Sequence, residues 1–139
     1  MQGAMIVTPL YAALLALWFL VLSMRVIQLR GRHRVSLGDG ERPDLRRAIR
    51  GHSNFVEYTL LALLLLLVLE LSRMSLYLLH AIGAALVIAR LLHGYAFACT
   101  VEWKLGRAWG TALTLIVLVV EALLCLYQAW RGHLIWLTT

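Results

Sequence analysis

Four long apolar runs, near residues 5–28, 45–72, 76–98 and 109–130, constrain this chain more than any other feature. At about 1.5 Å of rise per residue, each is long enough to cross a hydrocarbon core of roughly 30 Å as a helix. Hydrophobic residues make up 62% of the 139, whereas soluble domains hold roughly 45–50%. The bilayer is therefore the solvent. The expected fold is all-α: an integral membrane protein, a four-transmembrane-helix bundle over 1–139 with no soluble domain. The first run is too long for a signal-peptide core and lacks a small-residue cleavage site, so it reads as a retained span. Pro9 fits its first turn, and Arg25 near its end can reach the interface.

The links between the runs set the topology. Residues 30–44 form the main polar loop, with a turn signal at Gly38-Asp39-Gly40 and Pro43-Asp44 opening the second helix. The reversal around Arg73–Ser75 is short, so helices two and three should be antiparallel neighbours. A second polar link holds Glu102, Lys104, Gly106 and Arg107. The first and third links carry most of the basic residues, against Arg73 and Arg131 at the opposite end. The positive-inside rule then places those links in the cytoplasm and both termini outside. The net charge of +6 is explained by this topology and by anionic headgroups, so nucleic acid is not an expected partner. Trp103, Trp109, Trp130 and Trp136 lie near span ends, as aromatic-belt anchors do.

One stretch does not suit lipid. In Arg50-Gly-His-Ser-Asn-Phe-Val-Glu-Tyr58, the residues Arg50, Asn54 and Glu57 fall at i, i+4 and i+7, along one helix face, with His52 to one side. Arginine offers a planar fork to a carboxylate, asparagine donates and accepts, and glutamate receives an ammonium. Together they suit a zwitterion. An unpaired carboxylate at the membrane centre costs roughly 2.5–3.5 kcal/mol on insertion scales, so Glu57 needs a partner. Helix three supplies a counterpart in Arg90 and His93, with Phe97 continuing the face, and a Glu57–Arg90 ion pair within or between subunits is the simplest pairing. Equally, Glu57 and Arg90 can be purely architectural, Arg50 a headgroup contact and Asn54 interhelical glue. His80 and Glu70 read as interfacial residues near the outer side. Glu121 stands alone in helix four.

Other chemistries find little support. Cys99 and Cys125 lack metal or disulfide spacing and read as small apolar residues. No phosphate loop, His-x-x-x-His pair or nucleophile elbow occurs, so no metal site is expected.

The combination of Arg50-x-His52-x-Asn54-x-x-Glu57-Tyr58 with Arg90-x-x-His93 resembles the MAPEG family, the membrane-associated proteins of eicosanoid and glutathione metabolism. The Ser23-x-Arg25-Val26 ending of helix one and the Gly38-Asp39-Gly40 loop are similar to its small bacterial inner-membrane branch. The resemblance covers about residues 5–130. It implies a homotrimer with glutathione as co-substrate between subunits near the cytoplasmic side. It also implies that Arg30, Arg50, His52, Asn54, Glu57 and Tyr58 contact the tripeptide, with Arg90 and His93 in support. In enzymes of the family an arginine near the start of helix four stabilises the glutathione thiolate, and here that position falls at Lys104 or Arg107. A nearby cation lowers a thiol pKa, and the thiolate is the nucleophile. Where some family enzymes carry tyrosines on helix three, this chain has His93 and Phe97.

Three readings follow. The first is a glutathione transferase- or peroxidase-like enzyme acting on a small lipophilic electrophile or lipid hydroperoxide that arrives through the membrane lipid. The second is a non-catalytic trimer of the same fold that binds lipid or a partner. The third is a transporter or channel subunit, which would be expected to show broken helices and paired half-repeats.

Overall fold

A computed structural model describes residues 5–98, 100 and 103–138, with side chains as far as 134. Cys99, Glu102 and the side chain of Trp136 lie outside the described residues. Four helices are present: α1 (Val7–His33), α2 (Pro43–Leu71), α3 (Leu76–Ala98) and α4 (Lys104–Thr138). Each is long and apolar enough to cross a membrane. Three ends differ from the sequence expectation, one being the far end of α4, which runs on to Thr138 where a short tail was expected after about 130. α1 continues through Arg30 and Arg32 to His33, and α4 starts at Lys104, inside the expected third link. Hydropathy marks where lipid ends, whereas backbone hydrogen bonding carries a helix on into the headgroup layer.

α2 and α3 form the middle of the bundle. α1 packs against both of them, α4 packs against both from the other side, and α1 and α4 do not pack on each other. The shared core takes Tyr11, Leu15 and Leu22 from α1, Phe55, Ala62 and Leu66 from α2, Leu79 and Leu86 from α3, and Val117 from α4. Leu10, Leu14, Leu17 and Val21 are exposed on α1, as are Leu115, Ile116, Val119 and Leu123 on α4. In water such stripes would drive aggregation, but in a bilayer they are the lipid-facing surface. A smaller cluster of Leu29, Leu45 and Ala48 ties α1 to the start of α2.

The α1–α2 loop is folded back on this cluster. Gly38 and Gly40 have φ of +71° and +54°, a region that suits glycine, and a Cβ on Gly40 would strike the Val35 side chain. Arg46 bonds the Asp39 carboxylate and holds it below the usual carboxylate range, helped by the Glu41 N–H. His33 Nε2 lies 2.8 Å from Asp44 Oδ2, linking the last turn of α1 to the first of α2.

At the opposite end Glu70 does more than sit at an interface. Its Oε1 accepts from the N–H groups of Ile6 and Val7 at 2.6 and 2.8 Å, and its Oε2 accepts from Thr8 at 2.7 Å. α1 has no side-chain N-cap of its own, so a carboxylate from the end of α2 caps it. Glu70→Ala is therefore expected to lower stability by about 1–3 kcal/mol. Thermal unfolding in detergent checks this, with Glu41→Ala, on the exposed loop, expected to change little.

Candidate functional site

Three helices converge on Arg90, which is 1% exposed. Its Nη2 donates to Asn54 Oδ1 on α2 at 2.9 Å and to His93 Nδ1 one turn along α3 at 3.2 Å. Its Nη1 donates to Thr114 Oγ1 on α4 at 3.3 Å, and Thr114 in turn donates to the Gly110 carbonyl. The guanidinium also sits 5.5 Å from the centre of the Phe55 ring. Only its Nε is without a partner. A buried cation is tolerable when acceptors surround it, and here three side chains and a ring face do so.

Two glycines allow this convergence. A Cβ on Gly51 of α2 would lie 2.7 Å from Phe97 Cβ on α3. A Cβ on Gly110 of α4 would meet His93 N at 2.7 Å and the Ala89 carbonyl at 2.9 Å. Backbone cannot yield as a flexible side chain can. Gly110→Val is thus expected to push α4 off α3 and cost about 1–3 kcal/mol or more. Thermal unfolding reads this, and Gly31→Val, where a Cβ meets nothing, is the control.

The ion pair expected between Glu57 and Arg90 is not formed within the subunit. Arg90 faces Asn54, whereas three helical residues of rotation carry Glu57 about 60° round α2 from Asn54. Glu57 is exposed, with Arg50 and Ser53 on the same open face. Neither Glu57 nor Arg50 makes an ion pair among the described residues. The stripe read from the sequence is therefore divided. Asn54 joins the buried cluster with Arg90 and His93, Arg50 and Glu57 face outward, and Tyr58 is half-buried on the shoulder.

His52 is turned the other way. Its Nε2 is 3.1 Å from Ser23 Oγ on α1 and its ring lies 4.7 Å from that of Phe19, so the structure does not bring it to the Arg50–Glu57 face. Arg30, in the last turn of α1, donates to the Ser36 carbonyl at 3.3 Å. On α4, Arg107 lies 5.5 Å over the Phe97 ring, and that ring is 4.8 Å from His93. Lys104, one turn earlier, is exposed, as Arg107 itself is, and among the described residues only Arg107 lies over a ring that touches the cluster. Arg107 and not Lys104 is thus connected to the polar cluster.

Thr114 escaped the sequence reading, Arg25 was expected to reach the interface, and Glu121 was expected to stand alone in helix four. Thr114 joins the Arg90 cluster, and its only signal was its place on the face that carries Arg107 and Gly110, seven and four residues away. Arg25 donates to the carbonyl of Ala98, the last residue of α3, in place of reaching out to headgroups. Glu121 is fully buried, with neither carboxyl oxygen hydrogen-bonded among the described residues.

Four apolar helices around a buried polar cluster, with a charged stripe open on one face, define an integral membrane protein with polar groups inside its bundle. The sequence profile of the MAPEG family matches residues 8–127. The chain is also 35% identical to inner membrane protein YecN of Escherichia coli K12 over 126 residues, covering 90% of this chain and 95% of that one. YecN of E. coli O6:H1 matches equally well. The chain belongs to the MAPEG family, whose function at family level is related to glutathione, and is an integral inner-membrane protein.

Proposed function

We propose that the protein binds glutathione on the open face of α2, at a site completed by a second copy in a homotrimer, and uses it against a lipophilic acceptor. The observation that carries this is the exposed pair Arg50 and Glu57: opposite charges within a membrane-spanning helix, neither of them paired within the subunit. A group that is costly in lipid and unmatched in its own subunit calls for a ligand or a neighbour. Glutathione matches both, with carboxylates for the arginine fork and an ammonium for Glu57. Asn54 is held by Arg90 through its Oδ1, which leaves its amide N–H groups to donate to the tripeptide. Tyr58 stands half-buried on the shoulder of this face and His93 is held behind it by Arg90, whereas His52 packs on Ser23 and Phe19 of α1 and Arg30 on the Ser36 carbonyl.

The chemistry rests on the sulfur. Arg107 supplies a cation beside Phe97 and His93, and a cation within about 4–6 Å of a thiol favours its ionised form. The thiolate donates its electron pair to an electrophilic carbon, forming the C–S bond, while the acceptor's own leaving group or π bond takes up the displaced pair. With a lipid hydroperoxide the sulfur attacks oxygen and the O–O bond breaks. An alcohol leaves, and a second glutathione thiol converts the sulfenic acid to disulfide and water. In the proposed orientation the ends holding the first and third links face the cytoplasm, where glutathione is available.

A second reading, a binding protein without turnover, is favoured by one observation. Phe97 places a bare ring beside Arg107 and offers no hydroxyl to the sulfur. The two readings share the binding step, which can be tested alone. Glutathione should raise the unfolding temperature of the detergent-solubilised protein, by the equivalent of about 2.7 kcal/mol at a hundredfold excess over Kd. Cysteinylglycine, which lacks the γ-glutamyl group that meets Arg50 and Glu57, should not. Equal effects from both would contradict the assignment of this face.

A further inference from the structure

We propose that the end of the bundle opposite the Arg50 stripe carries a second site, in which Arg73 and Arg131 bind the phosphate of a phospholipid headgroup. A cavity of about 610 Å³ lies where the α2–α3 link meets α4, lined by Ser72, Arg73, Met74, Ser75, Gln128 and Arg131. The nearest acidic residue in sequence, Glu70, is fully engaged by the amides of Ile6, Val7 and Thr8. Neither arginine makes an ion pair among the described residues. Arg131 instead lies 5.7 Å over the Tyr127 ring, which fixes its side chain beside the cavity.

The backbone at Arg73 fixes where its side chain leaves the end of α2. Arg73 N–H bonds the Glu70 carbonyl and Met74 N–H bonds that of Leu69, the paired bonds that end a helix in a Schellman motif. The motif needs a left-handed residue at its turn, and Arg73 has φ of +56°. Glycine is the usual occupant because a Cβ is disfavoured there. Arg34 ends α1 with the same φ and the same paired bonds, so what sets Arg73 apart is that it opens on a cavity lined by a second arginine.

The donors available also suit one phosphate. Ser72 Oγ already donates to the Val68 carbonyl, and the Gln128 amide donates to the Met74 sulfur. That leaves the two guanidinium forks and the Ser75 hydroxyl for the ligand. The rim favours a lipid over a free anion. Tyr77 and Trp130, 89% and 60% exposed, and the exposed Leu71 and Leu76 adjoin the lining residues in sequence, the mix of aromatic and apolar groups expected at headgroup depth.

The test uses native mass spectrometry of the purified full-length protein with added phosphatidylglycerol, phosphatidylcholine or inorganic phosphate. Wild type should retain phosphatidylglycerol in preference to phosphatidylcholine. The double variant Arg73→Gly with Arg131→Gln should bind phosphatidylglycerol at least tenfold more weakly. Arg32→Gln, an exposed arginine at the other end, should bind as wild type does. Arg73→Gly alone relieves the backbone, so its unfolding temperature should equal or exceed that of wild type, which separates loss of a site from loss of fold. Undiminished binding in the double variant, or an equal loss in Arg32→Gln, would overturn the site. Inorganic phosphate displacing the lipid at millimolar concentration would overturn the lipid assignment in favour of a free anion. None of these outcomes depends on the glutathione reading.

Discussion

Arg90→Met is expected to destabilise the protein by about 3 kcal/mol, the largest effect of a single side chain in this fold. Methionine fills most of the volume, so the loss comes from the orphaned acceptors and not from a cavity. Asn54 Oδ1 and His93 Nδ1 would each lose the donor that Arg90 now provides, on two different helices. Thr114 would suffer less, because it keeps its bond to the Gly110 carbonyl. Thermal or urea unfolding in detergent measures the total. Glu57→Gln provides the contrast: Glu57 is exposed and unpaired within the subunit, so its loss should leave subunit stability nearly unchanged while weakening glutathione binding. Equal destabilisation by the two variants would restore a Glu57–Arg90 pair and contradict the cluster described here.

The second large effect concerns the thiol. In the proposed complex Arg107→Leu removes the cation assigned to the sulfur, and one opposite charge at close range moves a pKa by about 1–3 units. At neutral pH the thiolate fraction of bound glutathione should then fall about tenfold or more, while the affinity for the tripeptide changes far less. Lys104→Leu should have little effect: both side chains are exposed, but it is Arg107 that lies over Phe97 next to His93. Ultraviolet difference absorbance of glutathione on the purified variants separates the two outcomes. A loss confined to Lys104→Leu would move the activating role one turn back along the helix.

The architecture was legible in the sequence because lipid imposes a length and an apolarity on every span, and four runs met both. Helix ends were less legible. Lys104, Gly106 and Arg107 look like a link by hydropathy, yet a helix needs water-exposed polar residues no less than apolar ones once it leaves the hydrocarbon. The buried polar cluster was legible in Asn54, Arg90 and His93 and only partly in its pairings. The spacing of Arg50, Asn54 and Glu57 gives one face of α2, but the neighbouring helices decide which part of that face is covered. The approach of α3 at Gly51 buries the Asn54 side and leaves Glu57 open. Charge complementarity alone suggested Glu57 for Arg90, and geometry replaced it with a neutral amide. Glu70 illustrates the same limit. Its partners are backbone amides sixty residues and more away in the chain, and backbone groups leave no mark in residue identity.

The account turns on whether the open face of α2 is a glutathione site. The most direct measurement is a glutathione titration of the wild-type protein and Arg50→Ala, following thiolate absorbance and thermal stability together. Saturable thiolate formation with stabilisation in wild type, both lost in Arg50→Ala, is the predicted result. No response in either signal from the wild-type protein, or an identical response from Arg50→Ala, would contradict it.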